Sequence, residues 1–270
     1  MRDVNKCVIQ ESQTASFLLE QIKVIESFLG DFSFLVLGRD NIICRNYAFS
    51  LQRILISSQA TLGNIIMCCN CFCLADAYTL LRKYRDDLFF CLYLVTYDTN
   101  AKLGESKHTK KMETNIEQWC QDNLSNLNIN EVLATIGRSK WLQEAVRKYD
   151  LQKSFGRIGI QLNNYVHGNG FSFYNTNAYS FDEKSIEEQL NEIVSMARYI
   201  TITFLFLLTL CSPHYIMSTD YIDHLEFGQT PPDGSQYWVA PFVAEYVKAN
   251  IEMIDKNGYE YLKENTCMAL

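Results

Sequence analysis

Hydrophobic residues recur at helical spacing along most of the chain, and turn-forming residues are sparse. Between residues 11 and 30 they keep the three- and four-residue spacing of one helix face, and Gly30 is the expected end of that helix. Only four prolines and twelve glycines interrupt 270 residues, which favours long helices over a sheet with its repeated turns. The same spacing predicts further helices over residues 44–73, 74–97, 131–149, 151–167, 185–211, 242–255 and 259–265. We therefore predict an all-α fold, a helical bundle of about six to eight helices.

Two long polar or aromatic loops separate some of these helices. Residues 98–130 are polar with a basic cluster, and we expect a solvated connection with a short helix near Trp119. Residues 168–181 combine turn formers with five aromatic residues, which is typical of a hairpin or of a loop packed on the core. Nothing in the sequence requires a split, so we predict a single helical domain over residues 1–270.

The most apolar segment, residues 199–211, reads YITITFLFLLTLC. A helix that spans a membrane needs about 20 apolar residues, and this segment is shorter. Because it is apolar on every side, we predict that it lies at the centre of the bundle and not in a membrane.

The charge balance bears on partners and on the cell compartment. A formal net charge of −7 argues against a broad surface for duplex nucleic acid, because phosphate binding depends on Lys and Arg. A small local site for RNA is compatible with that charge. The first residues are polar and show no secretion signal, so we predict a cytoplasmic protein.

Ten cysteines would then lie in a reducing compartment, where thiols behave as small apolar side chains. The sequence MCCNCFC places four of them together, namely Cys68, Cys69, Cys71 and Cys73. Zinc sites usually combine two converging ligand pairs, and no second Cys or His pair follows at a useful spacing. We interpret the cluster as structural and predict neither a metal nor another cofactor.

The helix predicted over residues 151–167 has two distinct faces at 100° per residue. One is an apolar stripe that should face the core, made of Leu151, Phe155, Ile158, Leu162, Tyr165 and Val166. The opposite side carries Gly156, Ile160, Asn163 and His167. Small residues on that side would let a neighbouring helix or a second copy of the chain come close. His167 is either a general acid or base, or a capping residue beside Gly168 or Gly170.

The helix predicted over residues 74–97 carries charges where a core helix would have few. Arg85 falls within the apolar stripe, and Arg82 and Asp86 lie beside it at a spacing that allows an ion pair. A charge inside a protein must be paired, since leaving it unpaired costs several kcal/mol. Arg85 therefore either extends its head to the rim of the core or takes part in a functional network.

The motifs NNYVHG and LLRKYRDD together resemble the HEPN superfamily, helical-bundle nucleases and nucleotide-binding proteins of prokaryotic toxin and defence systems. Where that family carries an Arg before its His, this chain has Ile160, Gln161 and Leu162. The resemblance covers residues 44–167, and the helices over 185–265 are expected to pack on that core.

The resemblance implies metal-independent cleavage of RNA, or action on a nucleotide, at a dimer interface. His167 would be the general acid or base and Asn163 its orienting partner. Arg82 or Arg85, held by Asp86, would take the place of the family's Arg at the phosphate. The substrate-binding residues would be Asn164, Tyr165 and Arg157.

The alternative is a non-catalytic helical module or a subunit of a larger complex. It would bind a partner protein, or a second copy of the chain, through the face with Gly156, Asn163 and His167. The acidic net charge favours this alternative.

Overall fold

The structure is a computed structural model, and it describes residues 12–39, 41–104, 106–121, 123, 129–168, 176 and 183–270. These residues form eleven α-helices and one two-stranded antiparallel hairpin. In chain order they are α1 (Gln13–Leu35), β1 (Ile42–Cys44), β2 (Tyr47–Phe49), α2 (Leu51–Asn70), α3 (Leu74–Lys102), α4 (Ser106–Cys120), α5 (Ile129–Ile136), α6 (Gln143–Lys148), α7 (Leu151–His167), α8 (Glu183–Cys211), α9 (Asp220–Glu226), α10 (Pro241–Asn250) and α11 (Gly258–Asn265). The prediction of an all-α fold is confirmed, whereas the expected number of six to eight helices is too low.

The core forms where α1, α2, α3 and α8 pack together. α3 packs along both α2 and α8, and α1 packs on the same two helices. α7 lies against α3, α5 and α6, while α10 and α11 contact α8. This arrangement places one side of α3 in the core and leaves another side to face α7.

The predicted central position of the apolar segment is confirmed. Residues 204–208 of α8 are fully buried. Over Ile186–Cys211 the helix is long and apolar enough to cross a membrane, but 83% of its most apolar window is buried inside the fold. Thr201 and Thr209 donate their hydroxyls to the carbonyls one turn earlier, so these polar groups are satisfied within the helix.

Local backbone signals set where the helices begin and end. Ser12 and Ser50 cap α1 and α2, because each side chain accepts a hydrogen bond from a backbone N–H three residues later. Asp150 precedes α7 with a left-handed backbone (φ 47°), and Gly168 ends it in the same region (φ 59°). Asp and Gly are among the residues that tolerate this conformation.

Two predicted helices have different bounds at their ends. α1 continues through Gly30 to Leu35, where Gly30 lies inside the helix and faces the Gln59 side chain. The helix predicted over 44–73 is preceded by the hairpin and begins only at Leu51. Strands of three residues are too short to show a recognisable alternation of apolar and polar residues, so the sequence pattern did not distinguish the hairpin from the helix that follows it.

The polar stretch 98–130 is not the long loop that its composition predicts. α3 continues to Lys102, and α4 forms over Ser106–Cys120 with Met112 and Ile116 fully buried. Two apolar residues one turn apart attach this helix to the core, although most of its other positions are polar. The second predicted loop, 168–181, lies almost entirely outside the described residues.

The helix predicted over 131–149 is broken into α5 and α6. The break follows Ile136, where Ser139 is buried and its hydroxyl donates to the Asn100 side chain on α3 at 3.2 Å. This buried hydrogen bond favours a turn over a continuous helix.

We expect Phe204→Ala to lower the free energy of unfolding by about 3–5 kcal/mol, because it leaves a cavity at the centre of the bundle. The matched change Phe34→Ala, at a side chain that is 70% exposed, should change it by less than about 0.5 kcal/mol. Chemical denaturation followed by circular dichroism measures both. Equal effects of the two substitutions would contradict the central position of α8.

Candidate functional site

A cavity of about 520 Å³ opens between α3 and α7, with α4 and α5 at its sides. Four of the predicted site residues line it, namely Arg82, Arg85, Asp86 and Asn163. The two glycines of α7 that face α3, Gly156 and Gly159, line it as well. The structure thus brings the charged cluster of α3 and Asn163 of α7 to one cavity, whereas His167 is not among the residues that line it.

Arg85 is the most unusual group in this cavity, since its side chain is only 2% exposed. Its Nε and Nη2 both donate to Oδ1 of Asp86, at 2.9 and 2.7 Å. Its Nη1 is buried without a hydrogen-bond partner among the described residues. Burial lowers the pKa of the Arg85 guanidinium and Asp86 opposes that shift, but an arginine keeps its charge in proteins. The buried Nη1 of this cavity-lining residue thus has no acceptor among the described residues, and it lies against Gly159 of α7.

The sequence alternative in which Arg85 reaches the rim of the core is wrong, because the head group itself is buried. The pairing that a buried charge requires is supplied by its chain neighbour Asp86. Asp86 also forms an ion pair with Arg82: the Nε atom of Arg82 lies 3.7 Å from Oδ2 of Asp86. One half-buried carboxylate thus holds two guanidinium groups beside the cavity.

Gly159 explains how α7 can lie over a buried arginine. A Cβ atom built at this position would be 3.4 Å from Nη1 of Arg85 and 3.9 Å from Cγ2 of Ile129. At Gly156, by contrast, no described atom lies within 4 Å of such a Cβ. The close approach that small residues were expected to allow is therefore at Gly159, which the helical wheel did not single out. In the sequence, Gly159 could be noticed as a second glycine, three residues after Gly156.

Asn163 brings a second unsatisfied polar atom to the cavity. Its Oδ1 is buried and has no hydrogen-bond partner among the residues described. An unpaired buried acceptor costs about 1–3 kcal/mol unless a ligand or water satisfies it. Two residues of the cavity lining, Arg85 and Asn163, thus each carry one buried polar atom, a donor and an acceptor, without a partner among the described residues.

His167 lies outside this lining. It is exposed at the end of α7, where Gly168 closes the helix by donating its backbone N–H to the Asn164 carbonyl. Its position four residues after Asn163 puts it one turn further along the same side of the helix. The structure thus places His167 beyond the end of the cavity, and its catalytic role stays a prediction.

The three predicted substrate-binding residues do not line the cavity. The Tyr165 ring stacks on Tyr78 with centroids 4.2 Å apart, and the Tyr78 hydroxyl donates to Glu192 of α8. Tyr165 therefore packs between helices. Arg157 is exposed and Asn164 is half-buried on other sides of α7.

Sequence reasoning overlooked two residues of the cavity wall. Trp119 of α4 lines it and is 44% exposed, with its ring centroid 4.3 Å from that of Phe90. Asp87 also lines it and pairs with Lys83. Burial raises the pKa of the Asp87 carboxyl, and Lys83 opposes that shift. Trp119 was not selected as a site residue because the polar composition around it is typical of a solvated connection.

The cysteine cluster lies at the end of α2, with Cys68 and Cys69, and in the short turn before α3, with Cys71 and Cys73. Cys69 is buried, which raises the pKa of its thiol to about 12, while Cys71 is exposed. Within the described ranges, no three His, Cys, Asp or Glu side chains are placed to hold a metal ion.

No family model, curated protein or solved structure matches this chain. The resemblance to HEPN proteins stays a prediction from the two sequence motifs. The cavity combines a buried guanidinium and a buried amide oxygen, each without a full set of partners among the described residues, with a partly exposed indole.

We expect Gly159→Val to lower the free energy of unfolding by about 1–3 kcal/mol more than Gly156→Val, because the added methyl groups would press on the Arg85 guanidinium. Both positions lie in the same helix, so the intrinsic helix propensity of valine cancels in the comparison. Thermal or urea unfolding of the two variants measures the difference. If Gly156→Val were the more damaging, Arg85 would not lie beneath Gly159.

Proposed function

We propose that the protein is a cytoplasmic HEPN-like protein of a prokaryotic defence or toxin system that acts on RNA or a nucleotide. It would bind a phosphate group in the cavity between α3 and α7 and cleave a phosphate ester further along the same ligand, beside His167, by metal-independent general acid–base chemistry. Arg85 would hold the phosphate, with Arg82 as the second cation. Asp86 would keep the two guanidinium groups in position.

The observation that carries this proposal is the unpartnered Nη1 of Arg85. A buried charged donor without an acceptor is costly, and an anion in the cavity would remove that cost. Guanidinium groups are well suited to phosphate because their N–H groups match the spacing of its oxygens. Arg82 lines the same cavity and would add to the attraction.

His167 is the proposed general acid or base because it is exposed one turn beyond Asn163. A ligand anchored at Arg85 would have to extend along α7 toward that turn to bring an ester oxygen to the imidazole. Asn163 lies between the two and would orient the ligand through its amide.

We expect purified protein to cut single-stranded RNA in the presence of a chelator, and His167→Ala to slow the cleavage by about 100-fold or more. His224→Ala is the matched control, because His224 lies on α9 and its ring contacts its own helix. Gel analysis of labelled RNA measures the rates. Wild-type protein that cuts no RNA, or His167→Ala protein that cuts at the wild-type rate, would contradict the catalytic proposal.

Binding is tested separately with Arg85→Met, which keeps the bulk of the buried side chain and removes its charge. The fold should tolerate this change, because the Asp86 carboxylate that loses its partner is half-exposed and keeps its ion pair with Arg82. RNA binding should fall while that of the surface control Arg147→Met stays unchanged.

One observation favours the second candidate, a non-catalytic interaction module. Ile160 is 68% exposed on the side of α7 that carries Gly156 and Asn163. An apolar side chain beside an open glycine suits a second copy or a partner protein on this face.

If this face forms a homodimer, Ile160→Asp should convert the protein to monomers, because the interface would bury an unpaired charge. Light scattering during size-exclusion chromatography measures the mass. Ile56→Asp, at an exposed position of α2, is the control and should leave the mass unchanged. A wild-type protein that is already monomeric would exclude the homodimer.

A further inference from the structure

We infer that the cavity between α3 and α7 takes one nucleoside monophosphate unit whose base is unstacked and lies against Trp119. Its phosphate would carry a single negative charge, as it does within an RNA strand, and would bind at Arg85. This inference rests on the proposed function and adds the form of the ligand. The unit can come from a single strand, where its phosphate carries one charge, or from a free mononucleotide, whose phosphate carries about 1.5 to 2 charges at pH 7 and still far fewer than a triphosphate. Competition and fluorescence measurements separate the two sources.

The aromatic wall is the first argument. The Trp119 ring packs against Phe90, which also lines the cavity, with centroids 4.3 Å apart and an angle of 34° between the planes. Phe49 of β2 supports it at 6.3 Å. The indole is nevertheless 44% exposed and lines the same cavity as Arg85. A supported aromatic ring with an open side is a suitable platform for a base, and such stacking contributes about 1–3 kcal/mol.

The charge of the cavity is the second argument. Two arginines and two aspartates line it, so their formal charges cancel. Asp86 is bound to both Arg82 and Arg85, and Asp87 is bound to Lys83. A triphosphate would bring several negative charges close to both carboxylates, whereas one phosphodiester charge matches the single open N–H of Arg85. The cavity is therefore better suited to a monoanionic phosphate than to a nucleoside triphosphate.

The open oxygen of Asn163 is the third argument. An amide oxygen accepts hydrogen bonds, so it suits a hydroxyl or an amino group and repels a phosphate oxygen. A nucleoside unit carries such donors on its ribose and on its base, next to its phosphate. Arg85 and Asn163 thus complement different parts of one molecule.

The volume of the cavity and its aromatic wall also suit a single unstacked nucleotide. About 520 Å³ is within the usual range of roughly 300–1,000 Å³ for small-ligand sites. A base that is paired and stacked within a duplex has no free face for Trp119, while bases of single strands can be splayed out onto aromatic side chains.

The test measures binding of a short labelled single-stranded RNA by fluorescence anisotropy, in His167→Ala protein so that the RNA is not consumed. Trp119→Leu should weaken binding by about 5- to 150-fold, the loss expected for one stacked base. Trp141→Leu, at a similarly exposed tryptophan outside the cavity lining, should bind like the parent. Adenosine monophosphate should compete better than adenosine triphosphate, and the corresponding RNA duplex should not bind.

Several results would overturn the inference: equal binding by the two tryptophan variants, stronger competition by the triphosphate, or tight binding of the duplex. If Arg85→Met still abolishes binding in those cases, the phosphate site of the proposed function survives without the base platform. If Arg85→Met has no effect either, both proposals fail.

A second readout does not depend on the folding of Trp119→Leu. In a Trp141→Phe, Trp238→Phe protein, Trp119 is the remaining tryptophan of the chain. Its fluorescence should be quenched when the single strand or adenosine monophosphate binds. Quenching by the monophosphate alone would assign the site to free nucleotides, and binding without any quenching would overturn the role of Trp119.

Discussion

The contact between Arg85 and Asp86 organises this part of the molecule. A guanidinium group that is 98% removed from solvent needs a carboxylate, and the nearest one belongs to the next residue in the chain. Because two of its nitrogens are held by that carboxylate, the third is directed against α7. The helix above must then be free of a side chain at one position, and Gly159 meets that requirement. Arg85, Asp86 and Gly159 together constrain how α3 and α7 can pack against each other.

This constraint also separates two kinds of polar group in the bundle. The hydroxyls of Thr201 and Thr209 are buried in the core and satisfied by their own helix. Arg85 and Asn163 instead keep one open polar atom each at a shared cavity. Groups of the first kind cost the fold little, while those of the second lower its stability unless something binds. The binding role proposed for the cavity rests on these two atoms.

The sequence could predict those parts of the fold whose signal is repeated along the chain. The central position of α8 followed from an apolar segment, and the pairing of Arg82 with Asp86 followed from their spacing. The hairpin before α2 and the helix α4 were missed, because three-residue strands and two buried apolar residues leave too little periodicity. The break after Ile136 depends on a hydrogen bond between Ser139 and Asn100, two residues that are distant in the chain.

The residue types on each helix predicted part of the site, but the sequence could not predict which residues of different helices lie close together. Arg85, Asp86 and Asn163 were selected because charges and amides are unusual on helices that pack, and all three line one cavity. Trp119 and Gly159 could not be selected, since their importance comes from neighbours on other helices. Tyr165 was predicted both on the core-facing stripe of α7 and as a substrate-binding residue, and its ring stacks on Tyr78 of α3.

The left-handed backbone at Asp150 has a consequence well away from the cavity. A residue with a side chain in this conformation is strained by about 1–2 kcal/mol, and it lies at the corner where the chain turns from α6 into α7. The backbone conformation at Asp150 sets the direction of the α7 axis. A small rotation there would therefore displace the C-terminal end of α7 more than any other part of the helix. The location of residues at that end, including His167, therefore depends on the backbone of Asp150, 17 positions earlier, a distance of about 25 Å along the helix axis.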